Sequence, residues 1–172
     1  MILKVFKEKS NQKFINSLLS ARRAAFSNSK VQTIGVLLNI EEYDDFESFR
    51  VYFKSLGLVS PKCKVVAFID DEKKISNLWD TYFISKNFGW KGKILSVDLQ
   101  SFINYEFDVL ISYYKKDQLE TNLITAMSKA KFKVGLSGLD ERLYDLIIDV
   151  PINNFKTFKF ELKKYLTVLR KL

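Results

Sequence analysis

The sequence predicts an α/β fold, and three features of its second half carry that prediction. Residues 107–114 form an apolar run, rich in β-branched and aromatic side chains, that is typical of a strand buried on both faces. Asp117 can cap a helix that runs to about Lys129, and a second strand is predicted at 131–136. A strand, a helix and a strand within about thirty residues form a βαβ unit, whose two strands run parallel. A third apolar segment, 145–150, adds another strand.

The remaining segments extend this unit into a layered structure. Earlier strands are predicted at 33–38 and 64–69, and a short one at 93–96. Amphipathic helices are predicted at 3–27 and at 154–170. Helices between most of the strands favour a three-layer, Rossmann-like sandwich around a mainly parallel sheet of about five or six strands.

The helix between the first two strands has recognisable ends. Asp44 is predicted to cap its N-terminus, with Glu47 three residues later as the reciprocal partner. Gly57 is predicted to end the helix. Its buried face is expected to hold Phe46, Phe49, Val51 and Phe53. Residues 72–92 give a weaker pattern, for which we expect a short helix followed by a loop or an edge strand.

Length and composition indicate a single domain spanning residues 1–172. A chain of 172 residues with 47% hydrophobic and 15% aromatic residues can bury one sizeable core. No apolar run approaches the roughly 20 residues that span a bilayer, and the charged N-terminus is unlike a secretion signal. Cys63 is the one cysteine, which excludes an internal disulfide. We therefore expect a cytoplasmic protein.

The net charge of +8 lies at the two ends of the chain. Residues 1–30 carry seven Lys/Arg and one Glu, and residues 154–172 carry six Lys/Arg and one Glu. The segment between them is slightly acidic. If the two basic helices pack together, their joint surface can attract an acidic protein partner or, less favoured, nucleic acid. Ordinary solvated helix faces are the favoured interpretation.

Several classes of enzyme are excluded by composition. The sequence contains no histidine, so a Ser-His-Asp or Cys-His catalytic site and a histidine-ligated metal site are impossible. A single cysteine cannot build a sulfur-rich metal site. The glycine-rich fingerprints of phosphate-binding loops are also absent. Any catalysis would have to rest on Asp, Glu, Lys, Tyr or Ser. A non-enzymatic protein is the favoured interpretation, and no cofactor is assigned.

The loop after the strand at 131–136 contains candidate ligand-binding residues, namely Gly135, Ser137, Gly138 and Arg142. Ligands of open α/β sheets bind beyond the carboxyl ends of the strands. There, glycines allow close backbone approach, a serine can donate a hydrogen bond, and an arginine can bind an anion. The favoured interpretation is simpler: a tight turn in which Asp140 caps a helical turn at 140–144.

Two other strand ends carry weaker candidates. Ser112 and Tyr113 end the strand at 107–114, and Tyr113-Tyr114-Lys115-Lys116 combines rings with charge in a way that can hold a nucleic-acid base. One packed and one exposed ring is the favoured interpretation. Asp70 and Asp71 are weak candidates for a magnesium site, although a capping or loop role is favoured. No metal site is predicted.

Two resemblances bear on function. Residues 107–114, 126–135 and 145–150, with the terminal helix, resemble an uncharacterised bacterial family of small single-domain proteins without an assigned activity. More loosely, Ala130 to Arg142 is similar to one Rossmann-like half of heptosyltransferase-type glycosyltransferases. That second resemblance implies a nucleotide-sugar ligand.

The leading functional hypothesis is a non-enzymatic or vestigial Rossmann-like domain that binds a small anionic ligand or a partner protein. One alternative is a nucleotide-sugar-dependent transferase. The other is an accessory protein of RNA or ribosomes, whose RNA affinity would fall steeply with salt.

Overall fold

The computed structural model describes residues 2–22, 30–58, 62–71 and 81–172. Within these residues lie five α-helices: α1 (Ile2–Ala21), α2 (Phe46–Ser55), α3 (Val97–Asn104), α4 (Leu119–Met127) and α5 (Phe155–Val168). They also contain six strands: β1 (Ile34–Asn39), β2 (Cys63–Phe68), β3 (Thr81–Phe83), β4 (Val109–Tyr113), β5 (Lys133–Leu136) and β6 (Leu146–Ile148). None of these described helices is long and apolar enough to cross a membrane.

All six strands run parallel in one sheet, in the order β3-β2-β1-β4-β5-β6. This confirms the predicted α/β class, since it is the strand order of a Rossmann-like sandwich. The five longer predicted strands are confirmed, and β4 pairs with β5 in the parallel sense, with Ile111 opposite Val134. The chain changes direction across the sheet between β1 and β4, which places a topological switch point there.

The predicted strand at 93–96 is wrong. Ile94 forms only an isolated antiparallel bridge with Phe88. The segment is too short for a strand because Gly92, at φ 72°, ends a turn on one side and Ser96 caps α3 on the other. The sixth strand is β3 instead, at the edge of the sheet, where an edge strand is predicted within 72–92. The predicted short helix at the start of that segment falls mainly on 72–80, outside the described residues.

The two faces of the sheet bury separate cores. On one face, α2 and α5 contribute Phe49, Phe158 and Leu162 to a core that includes Ile111 of the central strand. On the other face, Ile15 of α1 packs with side chains of α3 and α4. The prediction that the two basic terminal helices pack together is therefore wrong, because each helix covers its own face of the sheet. Of the helix predicted at 3–27, residues 23–27 lie outside the described part.

Helix α2 shows how far its boundaries were predictable. Its cap is Asp45, one residue after the predicted Asp44, and its Oδ1 accepts a hydrogen bond from Ser48 N at 2.8 Å. Gly57, at φ 78°, follows the end of the helix as expected. The predicted burial of Val51 is wrong, since its side chain is 57% exposed, and Tyr52 is buried in its place.

The N-terminal caps of α4 and α5 differ in type. Asp117 does not cap α4: Gln118 precedes the helix, and Asp117 Oδ1 accepts a hydrogen bond from Asn122 Nδ2 at 2.6 Å. Asn154 caps α5 by accepting from Thr157 N at 3.1 Å. The predicted apolar stripe of α5 is confirmed, with its members buried or partly buried in one core: Phe158, Leu162, Tyr165, Leu166 and Leu169.

Candidate functional site

At the switch point, on the carboxyl end of the sheet, a side-chain hydrogen bond joins the end of β1 to the start of α4. Asn39 ends β1 with a fully buried side chain. Its Nδ2 donates to Gln118 Oε1 at 2.8 Å, and its Oδ1 accepts from Glu41 N at 3.1 Å. Because Gln118 stands at the start of α4, this bond joins the two halves of the sheet where such folds usually hold a ligand.

The adjoining anion-binding position is filled by the chain itself. The Glu42 carboxylate accepts hydrogen bonds from the backbone N–H groups of Lys115 and Lys116, at 3.0–3.1 Å. Successive N–H groups that converge in this way form a nest suited to an anion. In this protein the anion is an internal carboxylate. Sequence reasoning missed Glu42, although the acidic loop after the first strand, in place of a glycine-rich one, was a usable signal.

Lys116 has carboxylates around its ammonium group. Its Nζ lies 3.4 Å from Asp70 Oδ2 and 3.8 Å from Glu41 Oε2. Asp70 Oδ1 is also 3.5 Å from Gln118 Nε2. Asp70, the first of the two weak metal candidates, thus serves as an ion-pair partner, and Asp71 follows it as an exposed residue. Across the described residues, no group of three or more His, Cys, Asp or Glu is arranged to hold a metal ion.

Lys115 has a second polar cluster beside it. Its Nζ lies 3.0 Å from Ser137 Oγ and 4.0 Å from Asp149 Oδ1. Ser137 Oγ in turn donates to Asp149 Oδ1. The structure therefore places Ser137 at the carboxyl end of the sheet, as predicted. Its hydroxyl and the neighbouring ammonium are already engaged by protein groups.

Glutamine at position 42 is expected to lower the free energy of unfolding by about 1–2 kcal/mol. An amide offers one acceptor oxygen to the two N–H donors and turns its own NH₂ towards them. Urea denaturation at pH 7 measures the change. The matched control is Glu47→Gln, because that carboxylate is 71% exposed and pairs with Arg50 at 3.7 Å. The control should change the free energy by less than about 0.5 kcal/mol, and equal effects would contradict the role of Glu42.

The structure places Ser112 and Tyr113 in the core. Both are fully buried. Ser112 Oγ lies 3.1 Å from Thr125 Oγ1, and the Tyr113 hydroxyl donates to the Ile152 carbonyl at 2.7 Å. Burial raises the pKa of the Tyr113 phenol above its usual value. Tyr114 is also fully buried, so the expectation of one exposed ring is wrong, and neither ring faces a ligand.

The glycines of the loop after β5 serve packing and turning. A Cβ at Gly135 would lie 2.7 Å from the Tyr144 ring, so the absent side chain makes room for that ring. Gly138 has φ 93°, a left-handed conformation that favours glycine in a tight turn. Asp140 then accepts a hydrogen bond from Arg142 N at 3.1 Å and caps the 3₁₀ turn Glu141–Leu143. The favoured interpretation of this loop as a capped turn is confirmed.

Arg142 lies at the opposite end of the sheet from Ser137. Its Nε and Nη2 donate to the Asp140 carboxylate at 2.9 and 2.6 Å, and these hydrogen bonds hold the pKa of that carboxyl below its usual value. Nη2 also donates to Asn16 Oδ1 at 3.2 Å. Nη1 has no hydrogen-bond partner among the described residues. The predicted grouping of Arg142 with the residues at the strand ends is therefore not formed.

Arg142 borders a groove of about 560 Å³ at the amino ends of β5 and β6. The groove runs between the last turns of α1 and α5. Arg22 is one of the residues that line the groove. Its Nη2 lies 2.7 Å from Asp145 Oδ1, and its Nη1 donates a hydrogen bond to the Arg142 carbonyl at 2.9 Å. Its other lining residues are mainly apolar: Leu19, Phe132, Tyr144, Leu146, Tyr165, Val168 and Leu169.

A second cavity of about 260 Å³, the lysine niche, shares Arg22 and Asp145 with the groove. Lys133 lies against it with only 5% of its surface exposed. Burial and, to a lesser extent, the Arg22 charge lower the pKa of the Lys133 ammonium to about 8, while Asp145 opposes the shift. Sequence reasoning missed Lys133. Its position in a strand predicted to be buried was the available signal.

Comparison with known families gives one match. The sequence profile of DUF6913, a family of unknown function, covers residues 7–169. The chain belongs to DUF6913. Searches of curated proteins and of solved structures found no match.

The DUF6913 protein thus has two polar regions at opposite ends of its sheet. At the carboxyl end, the side chains that surround the switch point bind one another, with Glu42 in the anion-binding nest. At the amino end, cationic side chains border two cavities. The groove combines apolar walls with guanidinium groups, a combination that suits a ligand with an apolar body and an anionic group.

Proposed function

We propose that this DUF6913 protein is a non-enzymatic Rossmann-like domain that binds a small amphipathic carboxylate in the groove. The observation that supports this best is the presence of Arg142, together with the paired Arg22 and Asp145, on an otherwise largely apolar wall. An apolar body would displace water from that wall, and the carboxylate would meet the guanidinium of Arg142.

The size of the groove suits such a ligand. Its volume of about 560 Å³ lies within the roughly 300–1,000 Å³ of typical small-molecule sites. Those sites are mostly apolar, with a few polar groups that fix orientation. Arg142 fits that role because its side chain is 59% exposed and its Nη1 is unpartnered among the described residues. Asp140 occupies the Nε and Nη2 donors, so Nη1 is the atom that can donate a charge-assisted hydrogen bond to a ligand carboxylate.

The arrangement at the carboxyl end supports a binding role over a transferase role. A nucleotide-sugar ligand, as the looser resemblance implies, would place its phosphates near the strand ends. There, the loop after β1 carries Glu41 and Glu42, and the second of these already holds the backbone donors. A phosphate would have to displace a carboxylate held by four contacts of 3.0–3.1 Å. An accessory role with RNA has less support, since α1 and α5 lie on opposite faces of the sheet.

Isothermal titration of 4-phenylbutyrate tests the proposal. We expect binding to wild type, and a roughly tenfold or greater loss of affinity in Arg142→Gln, because a hydrogen bond to a charged group is worth about 1.5–3 kcal/mol. The matched control is Arg50→Gln, which removes the same charge from α2, a helix that contributes no residue to the groove. Equal affinities of the two variants would contradict the groove as the site.

The same titrations separate the alternatives. A sugar nucleotide that binds more tightly than 4-phenylbutyrate would favour the transferase hypothesis. RNA binding whose affinity falls steeply with salt would favour the accessory role. If wild type binds none of these ligands, the anion-binding proposal is wrong and a protein partner becomes the remaining hypothesis.

A further inference from the structure

The lysine niche holds an amine with few partners. Lys133 Nζ donates to the Thr125 carbonyl at 2.6 Å, and this is its one hydrogen bond among the described residues. Four of the eight residues that line the niche beside Lys133 are apolar, namely Leu18, Ala21, Ala126 and Ala130, and the other four are Arg22, Ser128, Lys131 and Asp145. Because Lys133 is only 5% exposed, its ammonium group loses most of its hydration.

The charge of Arg22 also favours the neutral form of the amine. Arg22 and Lys131 line the same niche, but Lys131 Nζ is paired with Asp108 Oδ1 at 2.8 Å. Asp145 is the one carboxylate among the lining residues. Both oxygens of Asp145 are engaged elsewhere, since Oδ1 pairs with Arg22 and Oδ2 accepts from the Lys133 backbone N–H at 2.8 Å. Among the described residues, the amine therefore has no direct ion-pair partner. Desolvation and a neighbouring cation are the two conditions that activate a lysine as a nucleophile.

We infer that Lys133 is a covalent binding site for a small 2-oxo acid, which it holds as an imine. The niche, at about 260 Å³, is large enough for a ligand of three or four carbon atoms. Arg22, whose side chain lines the niche, supplies positive charge for the carboxylate, and Lys133 supplies the amine for the carbonyl. This site lies outside the proposed function, because it uses the adjoining cavity and a covalent bond.

The chemistry balances without an added cofactor. The neutral amine donates its lone pair to the carbonyl carbon, and a C–N bond forms as the C=O π bond breaks. A proton moves from the nitrogen to the oxygen and gives a carbinolamine. Loss of water, made of the former carbonyl oxygen and the two amine hydrogens, then leaves a C=N bond. No group is oxidised or reduced, and hydrolysis reverses the reaction.

A purely structural role for Lys133 makes a different prediction. The Thr125 carbonyl belongs to the last turn of α4, where carbonyl groups lack partners within the helix. A lysine that only caps this turn needs to donate one hydrogen bond and need not react. Arginine would replace it in that role, but arginine cannot form an imine.

The experiment incubates wild-type protein with pyruvate and cyanoborohydride at pH 7.5, and maps the reduced adducts by peptide mass spectrometry. At that pH an amine with a pKa of about 8 is about one quarter neutral, against about 0.1% for an ordinary lysine. We expect Lys133 to be labelled at least tenfold faster than the exposed Lys9 and Lys156. Labelling of Lys133 no faster than of those two would overturn the inference.

Two variants identify the parts of the site. Lys133→Arg should lose the fast adduct while keeping the wild-type far-ultraviolet circular dichroism spectrum. In Arg22→Gln, the ratio of pyruvate to formaldehyde labelling at Lys133 should fall, because formaldehyde has no carboxylate to hold. Arg50→Gln serves as the control and should leave the ratio unchanged. An unchanged ratio in Arg22→Gln would overturn the assignment of a 2-oxo acid. Loss of 4-phenylbutyrate binding in Arg142→Gln would not affect either result.

Discussion

Alanine in place of Phe49 is expected to lower the free energy of unfolding by about 3–5 kcal/mol. The Phe49 side chain is fully buried at the centre of the core between α2, α5 and the sheet. Its truncation removes apolar contacts and leaves a cavity that surrounding rings can fill only in part. Its ring centroid lies 4.7–6.3 Å from those of five other aromatic residues: Tyr43, Phe53, Tyr113, Phe155 and Phe158.

Urea denaturation at pH 7, followed by circular dichroism, measures this change. The matched control lies on the same helix: Val51→Ala removes apolar atoms from a side chain that is 57% exposed. It should change the free energy of unfolding by less than about 0.5 kcal/mol. A loss below about 1 kcal/mol in Phe49→Ala, or a loss of similar size in Val51→Ala, would mean that α2 presents a different face to the core.

The contrast between Phe49 and Val51 shows what the sequence can predict about the fold. Runs of β-branched and aromatic residues indicated the longer parallel strands, because a strand buried on both faces leaves few polar positions. Helical spacing indicated α2, and its Phe46, Phe49 and Phe53 face the core. Val51 was expected to be buried because its side chain is apolar, although its position around the helix points it away from the core. The face on which each terminal helix packs had no local signal, since it depends on strand order across the whole chain.

The candidate site was predictable only where neighbours in sequence are neighbours in space. Ser137 was placed correctly, because a residue directly after a strand stays at the carboxyl end of the sheet. Arg142, five residues further on, was placed wrongly. A parallel connection must return to the amino end before the next strand starts, and Arg142 lies on that return. The contact between Glu42 and Lys115 joins positions 73 residues apart, so no local pattern could reveal it.

The last turns of the two basic terminal helices meet at the groove. Helices α1 and α5 cover opposite faces, yet their last turns converge at the amino ends of β5 and β6, where both border the groove. The cations near that position, Arg22 and Arg142, come from separate parts of the chain. Each is paired with a carboxylate, Arg22 with Asp145 and Arg142 with Asp140, so the groove offers guanidinium donors and not a large net positive charge.

The stability of wild type relative to Lys133→Met is expected to rise by about 2 kcal/mol between pH 7 and pH 9.5. Burial lowers the pKa of Lys133 to about 8 in the folded protein. In the unfolded chain the pKa is about 10.4. Between these values the unfolded state binds more protons, so a rise in pH favours the folded state. Below pH 8 both states are protonated, and the folded state bears the full cost of a buried ammonium group.

Urea denaturation of both proteins at several pH values measures the two free energies of unfolding. Subtracting one from the other removes the contributions that the two proteins share. Among these are the buried tyrosines, such as Tyr52, whose pKa burial raises to about 12 and whose ionisation on unfolding lowers stability above pH 10. The control is Lys156→Met, which removes an exposed ammonium that keeps its hydration on folding. Its difference from wild type should stay nearly constant over the same range. A constant difference for Lys133→Met would show that the buried amine stays protonated, and would also remove the chemical basis for imine formation near neutral pH.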